Sequence, residues 1–158
     1  MKKFGPGAAA DLDDPNSSMK LRFRAAGLVN NYIPGSRIGN SFNFHRLMHL
    51  AGEASYEIQN NLQEVIFRKY FGEGGNPGET AMLADAAAEV SGFLTKEQAT
   101  QFLESNKHSE EVRKLLAIPR QRRINGVPHF KFPNVELSGA QPIETFVEIL
   151  TEIKDYWK

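Results

Sequence analysis

Gly126-Val-Pro-His-Phe-Lys-Phe-Pro-Asn-Val-Glu-Leu-Ser-Gly-Ala-Gln141 is the stretch in which the hydrophobic period changes. His129, Phe130, Lys131 and Phe132 alternate strictly, Pro133-Asn134 offers a turn, and Val135, Glu136 and Leu137 alternate again. A period of two predicts a hairpin with one apolar face. Pro142 then opens a helix in which Ile143, Phe146, Ile149, Leu150, Ile153 and Trp157 form one continuous stripe. A two-stranded hairpin is marginal in water, so this last helix is expected to cover it. The strand carrying Phe130 and Phe132 still has an edge of unpaired backbone groups, which natural proteins normally protect.

Upstream of the hairpin the period is helical. Pro15, capped by Asp14, starts a helix through Met19, Phe23 and Ala26, and Gly27 ends it. Residues 28–39, rich in Asn, Pro and Gly, read as a loop. Asn40 or Ser41 caps the next helix, with Phe44, Leu47, Met48 and Ala51 on one face and Gly52 as its stop. Tyr56–Phe71 carries Ile58, Leu62, Val65, Ile66 and Tyr70 at i, i+4, i+7 spacing. After a glycine-rich loop, Glu79–Val90 is alanine-rich and closed by Gly92. Thr95 and Gln98 have the spacing of a capping box for a helix to Ser105. A sixth helix begins near Ser109 with Val112, Leu115 and Leu116 on its face, and Pro119 is expected to end or kink it.

Composition narrows the function. The 158 residues are 41% hydrophobic, enough for one sizeable core. Nineteen basic and nineteen acidic residues give a formal charge of +0, so no global field attracts nucleic acid or an anionic membrane. Residues 1–50 carry +4 and the remainder −4, a small asymmetry. No run of apolar residues reaches the length of a membrane span, and the start lacks an apolar signal core, so a cytoplasmic location is expected. With no cysteine, the chain offers no disulfide scaffold, Cys-ligated zinc, thiol nucleophile or redox dithiol.

Asn40-Ser-Phe-Asn-Phe-His45-Arg-Leu-Met-His49-Leu-Ala, Phe67-Arg-Lys-Tyr-Phe71, Leu83-Ala-Asp-Ala-Ala87, Gly126-Val-Pro128 and Ser138-Gly-Ala-Gln141 stand in an order with a family counterpart. Together they resemble the DsbA-like thioredoxin-fold proteins, in the FrnE-like branch. The resemblance implies an α-rich α/β fold: a flexible lead-in over 1–14, a helical insertion domain of five or six helices over 15–123, and a partial thioredoxin ββα unit over 124–158. The family's first βαβ unit, with its Cys-x-x-Cys helix, has no counterpart here. The function implied is therefore that of a thiol-disulfide oxidoreductase family protein, inactive alone and with no catalytic residue. The readings kept beside it are a non-catalytic interaction module and a glutathione-dependent isomerase or transferase of the kappa-like branch.

The same resemblance marks Pro128 as the family's cis-proline. Val127, Pro128 and His129 then form the loop that would pair with an extended thiol-containing peptide or small molecule. Ser138, Gly139, Ala140 and Gln141 lead into a helix N-terminus, where free N–H groups favour a carboxylate such as that of glutathione. The plainer reading there is a turn with Ser138 as a cap. No other cofactor is implied. The partners expected are such a thiol ligand or a second copy through the hairpin edge, with neither nucleic acid nor membrane. Alternatively residues 1–14 would cover that edge.

Other clusters read as structural. His45, His49 and Glu53 have the spacing to share a helix face and a metal, but His45 is not followed by Glu as in the zinc-protease signature, and the resemblance accounts for both histidines without a metal. Gly72–Gly78 lacks the Gly-Lys-Ser/Thr ending of a phosphate loop. Arg120, Arg122 and Arg123 have no interleaved aromatics and read as a solvated face. There is no Gly-x-Ser-x-Gly elbow.

Overall fold

A computed structural model of the chain describes residues 17–28 and 39–154. Among these residues the order is α1 (Ser18–Ala25), α2 (Phe42–Ala54), α3 (Tyr56–Phe67) running into a π-helical turn (Arg68–Gly72), α4 (Thr80–Glu89), α5 (Lys96–Glu104), α6 (Ser109–Gln121), β1 (His129–Lys131), β2 (Glu136–Ser138) and α7 (Ile143–Ile153). Helices, one hairpin and a closing helix make the α-rich α/β arrangement that the sequence predicts. The chain divides into two compact units, the first ending at Val112 and the second beginning at Arg113.

In the first unit, caps and close contacts set the helix limits. The α1 helix starts at Ser18, where Ser17 is its cap and accepts from the Lys20 amide at 3.4 Å. Asp14, Pro15 and the expected loop at 29–38 lie outside the described residues. Gly27, at φ +70°, ends α1 as expected: its amide bonds the Arg24 carbonyl and the Leu28 amide bonds that of Phe23. Gly52 does not end α2, which continues to Ala54. Its missing side chain instead admits Gln59, which donates to the Met48 carbonyl at 3.0 Å and would lie 2.6 Å from a Cβ there. Ser55, in extended geometry, both closes α2 and caps α3 by accepting from the Ile58 amide at 3.0 Å.

Leu47 and Ala51 of α2, Leu62 and Ile66 of α3, Leu83 and the alanines of α4, and Phe102 and Leu103 of α5 form one core. Helix α2 packs on α3, and α4 on α5. Alanine at 84, 86 and 87 leaves no side chain to hold the helices apart, and all three are fully buried. Both halves of the Thr95/Gln98 capping box are present, with bonds of 3.3 and 2.9 Å. Beyond α3 the chain widens into the π turn, where the Glu73 amide reaches the Arg68 carbonyl at 3.1 Å.

In the second unit, α6 runs through Pro119 instead of ending there. The carbonyl that proline leaves without a helical donor belongs to half-exposed Leu115, where water can serve it. Four residues on, the helix closes with Arg123 at φ 56° and the Ile124 amide on the Pro119 carbonyl at 2.8 Å, so Pro119 sits in the last turn of its helix. Leu115 and Leu116, expected on an inward face, are 49% and 47% exposed.

The hairpin pairs His129 with Ser138, Phe130 with Leu137 and Lys131 with Glu136. Strand β1 lies within the alternating run His129–Phe132 and β2 is shifted one residue from Val135–Leu137, while Pro133-Asn134 turns as predicted and the Phe132 amide closes on the Val135 carbonyl at 2.9 Å. The apolar face is covered as expected: Phe146 of α7 lies 4.8 Å from the Phe130 ring and 6.5 Å from that of Phe132. The α7 stripe is only partly used, since Ile143, Val147 and Leu150 are exposed while Ile153 is buried. Trp157 lies outside the described residues.

Two positions on α3 test where the stability of the first unit resides. Leu62→Ala, in a fully buried site, should cost about 2–5 kcal/mol. Tyr56→Ala, at a residue 85% exposed, should change stability by about 0.5 kcal/mol or less. Urea unfolding followed by helical circular dichroism checks both.

Candidate functional site

The two segments singled out in the sequence meet in the second unit. The Gly139 amide donates to the Pro128 carbonyl at 2.9 Å, continuing the hairpin register by one pair and bringing Val127–His129 beside Ser138–Gln141. The Val127–Pro128 bond is cis, as expected, and so is Gly139–Ala140. A side chain at Gly139 would meet the Phe130 ring at 3.1 Å and the Pro128 ring at 3.3 Å, so glycine is what lets the two segments close. Gln141 ties the second segment by donating from Nε2 to the Ser138 carbonyl at 2.7 Å. Ser138 does not cap α7, whose N-cap is Pro142 without a side-chain bond, because the two residues are separated by the turn that Gln141 closes. The plainer reading of Ser138 is thereby corrected, and the first amides of α7 have no side-chain cap.

Ladder parity says which way this strand faces. Phe132 donates to Val135 and Gly139 donates to Pro128, so the hydrogen-bonded positions of β1 are the even-numbered ones. In an antiparallel pair the intervening residues point the other way, and His129 and Lys131 direct their N–H and C=O groups away from β2. Among the described residues no third strand pairs with them. Val127, at the head of this edge, is 87% exposed. The His129 side chain folds inward, with Nε2 3.4 Å from a Glu136 carboxylate oxygen and Nδ1 buried without a hydrogen-bond partner.

In the first unit the histidines divide. His45 does not join His49 and Glu53; it stacks on Phe44 at 5.1 Å, and burial holds its imidazole below the ordinary histidine value. His49 faces Glu53 at 3.5 Å, and the third member is His108, from the connection between α5 and α6. Sequence spacing missed it because His108 is far along the chain and nothing around it repeats the pattern of α2. The glycine-rich segment serves chain packing: Gly78 presses on the Gly39 backbone, and the Asn76 side chain accepts from the Gly78 amide at 2.9 Å. Arg120, Arg122 and Arg123 are exposed, as expected of a solvated face.

Comparison with known proteins gives one match: the family described as DSBA-like thioredoxin domain, over residues 17–151. No curated protein and no solved structure gives a significant match. Among the described residues no helix is long and apolar enough to cross a membrane.

The closed contact at Gly139 has a measurable consequence. Gly139→Val should push the Phe130 ring off Phe146 and part the two segments, at a cost of about 1–3 kcal/mol. Amide hydrogen exchange at Phe132 and Gly139 should quicken, while exchange within α2 and α3 stays unchanged.

Proposed function

Because the chain belongs to the DSBA-like thioredoxin domain family, we propose that it is a FrnE-like thiol-disulfide oxidoreductase family protein that binds an extended thiol- or disulfide-bearing peptide and does not exchange disulfides alone. The observation that carries this reading is the outward-facing edge of β1. His129 and Lys131 offer a row of main-chain donors and acceptors, with exposed Val127 at its head. A peptide added there gains affinity from main-chain bonds and selectivity from alternate side chains. Exchange itself needs a thiolate to attack a disulfide sulfur, and the chain has no cysteine.

The same edge is suited to a second copy. Two-fold pairing would be isologous and would set Phe130 and Phe132 near their symmetry mates. The kappa-like glutathione reading rests on the first amides of α7, which no side chain caps.

Three measurements separate these readings. With dithiothreitol and a protein disulfide substrate, turnover should not exceed the reagent blank; activity above it would overturn the inactive reading. A fluorescent extended peptide containing cysteine should bind, and Lys131→Pro should weaken it at least tenfold, since proline removes an outward donor and spares the β1–β2 bonds. If light scattering finds a dimer that Lys131→Pro dissociates, with no peptide binding, the edge serves self-association instead. Titration with glutathione should be calorimetrically silent, and clear saturation would favour the kappa-like branch.

A further inference from the structure

We propose that His49, Glu53 and His108 form a divalent-cation site, selective for zinc-like ions, that fastens the α5–α6 connection to α2. The Glu53 carboxylate lies between the two imidazoles: one oxygen is 3.5 Å from Nε2 of His49 and the other 3.3 Å from Nε2 of His108. The three ligand atoms all lie within 4.8 Å of one another. Zinc bound to nitrogen and carboxylate oxygen at about 2.0–2.2 Å in a tetrahedron requires ligand separations of about 3.4 Å. Each imidazole nitrogen already lies at about that distance from one of the two carboxylate oxygens, and an ion held by a single oxygen would draw the more distant imidazole inward. Two imidazoles and a carboxylate suit zinc, cobalt or nickel better than calcium or magnesium, which prefer oxygen alone.

The third ligand is held in place by an arrangement that has no need of a histidine. Arg46, one turn before His49 and only 2% exposed, donates from Nε to the Lys107 carbonyl at 2.9 Å. Its other nitrogens donate to the carbonyls of Leu103, Phe102 and Ser105. The backbone just before His108 is therefore fixed against α2 independently of any contact between the imidazoles and Glu53. His108 occupies the left-handed region at φ 58°, where glycine or asparagine is the usual residue. It is also the N-cap of α6, since its carbonyl accepts from the Val112 amide at 3.0 Å, yet its side chain turns back to Glu53. An asparagine would serve both the cap and the backbone. What the histidine adds is a nitrogen beside the carboxylate.

The site is also accessible. The side chains of His49, His108 and Glu53 are 28%, 22% and 52% exposed, which gives an ion a path in and leaves water a fourth position. The rings of His49 and His108 meet edge to face at 5.0 Å, and Phe102 lies 5.9 Å from His108, so both imidazoles have restricted orientations before an ion arrives.

The test uses the purified full chain, stripped with a chelator and titrated with zinc alone in competition with a chromophoric indicator. One zinc per chain is expected, together with visible absorption on cobalt substitution that marks a low-coordinate nitrogen and oxygen site. His108→Gly relieves the left-handed strain while removing a ligand, so it should fold with normal helical content and bind zinc at least tenfold more weakly. Glu53→Gln should do the same, and His45→Gln should leave the affinity unchanged. Zinc should raise the melting temperature of the parent protein and not that of His108→Gly. Absence of stoichiometric zinc, or zinc binding that survives both His108→Gly and Glu53→Gln, would overturn the assignment.

Discussion

A single buried guanidinium organises the helical unit. Arg46 has five N–H donors in a fixed plane, and five acceptors surround them: the carbonyls of Phe102, Leu103, Ser105 and Lys107 and the Asn43 side chain. Phe102 also lies under its charge, 5.0 Å from the ring centre. The last turn of a helix has too few intrahelical donors for its carbonyls, and Ser105 serves only that of Phe102 and, through its amide, that of Gln101. An interior cation satisfies them and offsets its own desolvation by charge-assisted bonds. One side chain on α2 thus caps α5 and fixes the chain leading into α6, so the placement of His108 follows from a residue whose own role is to close a helix.

The hairpin unit faces a different constraint, the shortage of partners for its apolar and main-chain groups. Its inward face is satisfied, with Phe130 and Phe132 meeting Phe146. Its edge is not satisfied among the described residues, and Ile143, Val147, Leu115 and Leu116 stay exposed. Single exposed apolar side chains are ordinary on a protein surface, so the open strand edge is the more informative of the two observations. The first amides of α7 likewise have no side-chain cap.

Helix existence was legible in the sequence wherever periodicity and caps agreed. The Thr95/Gln98 box, the Gly27 stop and the buried Leu47, Leu62 and Leu83 all follow from local chemistry that a linear reading captures. Two positions depart from the reading for different reasons. Gly52 reads as a terminator until Gln59, from the next helix, is seen crossing it. Pro119 does not end the helix at once, but the helix stops two residues later in a turn that its carbonyl helps to close. The candidate loop was legible as two separate motifs, but the Gly139–Pro128 bond that joins them was not, because register is a property of the pair of strands.

His45 and His108 show the same limit at the level of chemistry. Spacing of i, i+4, i+8 put His45, His49 and Glu53 on one helix face, yet desolvation favours a neutral His45 packed against Phe44. The carboxylate of Glu53 instead finds its second imidazole across the chain, at a residue whose left-handed backbone gives no advantage unless something recompenses it. With the neighbouring carbonyls already secured by Arg46, the histidine is dispensable to the turn, and the ligand geometry it completes with His49 and Glu53 is the physical reason for it that the structure offers.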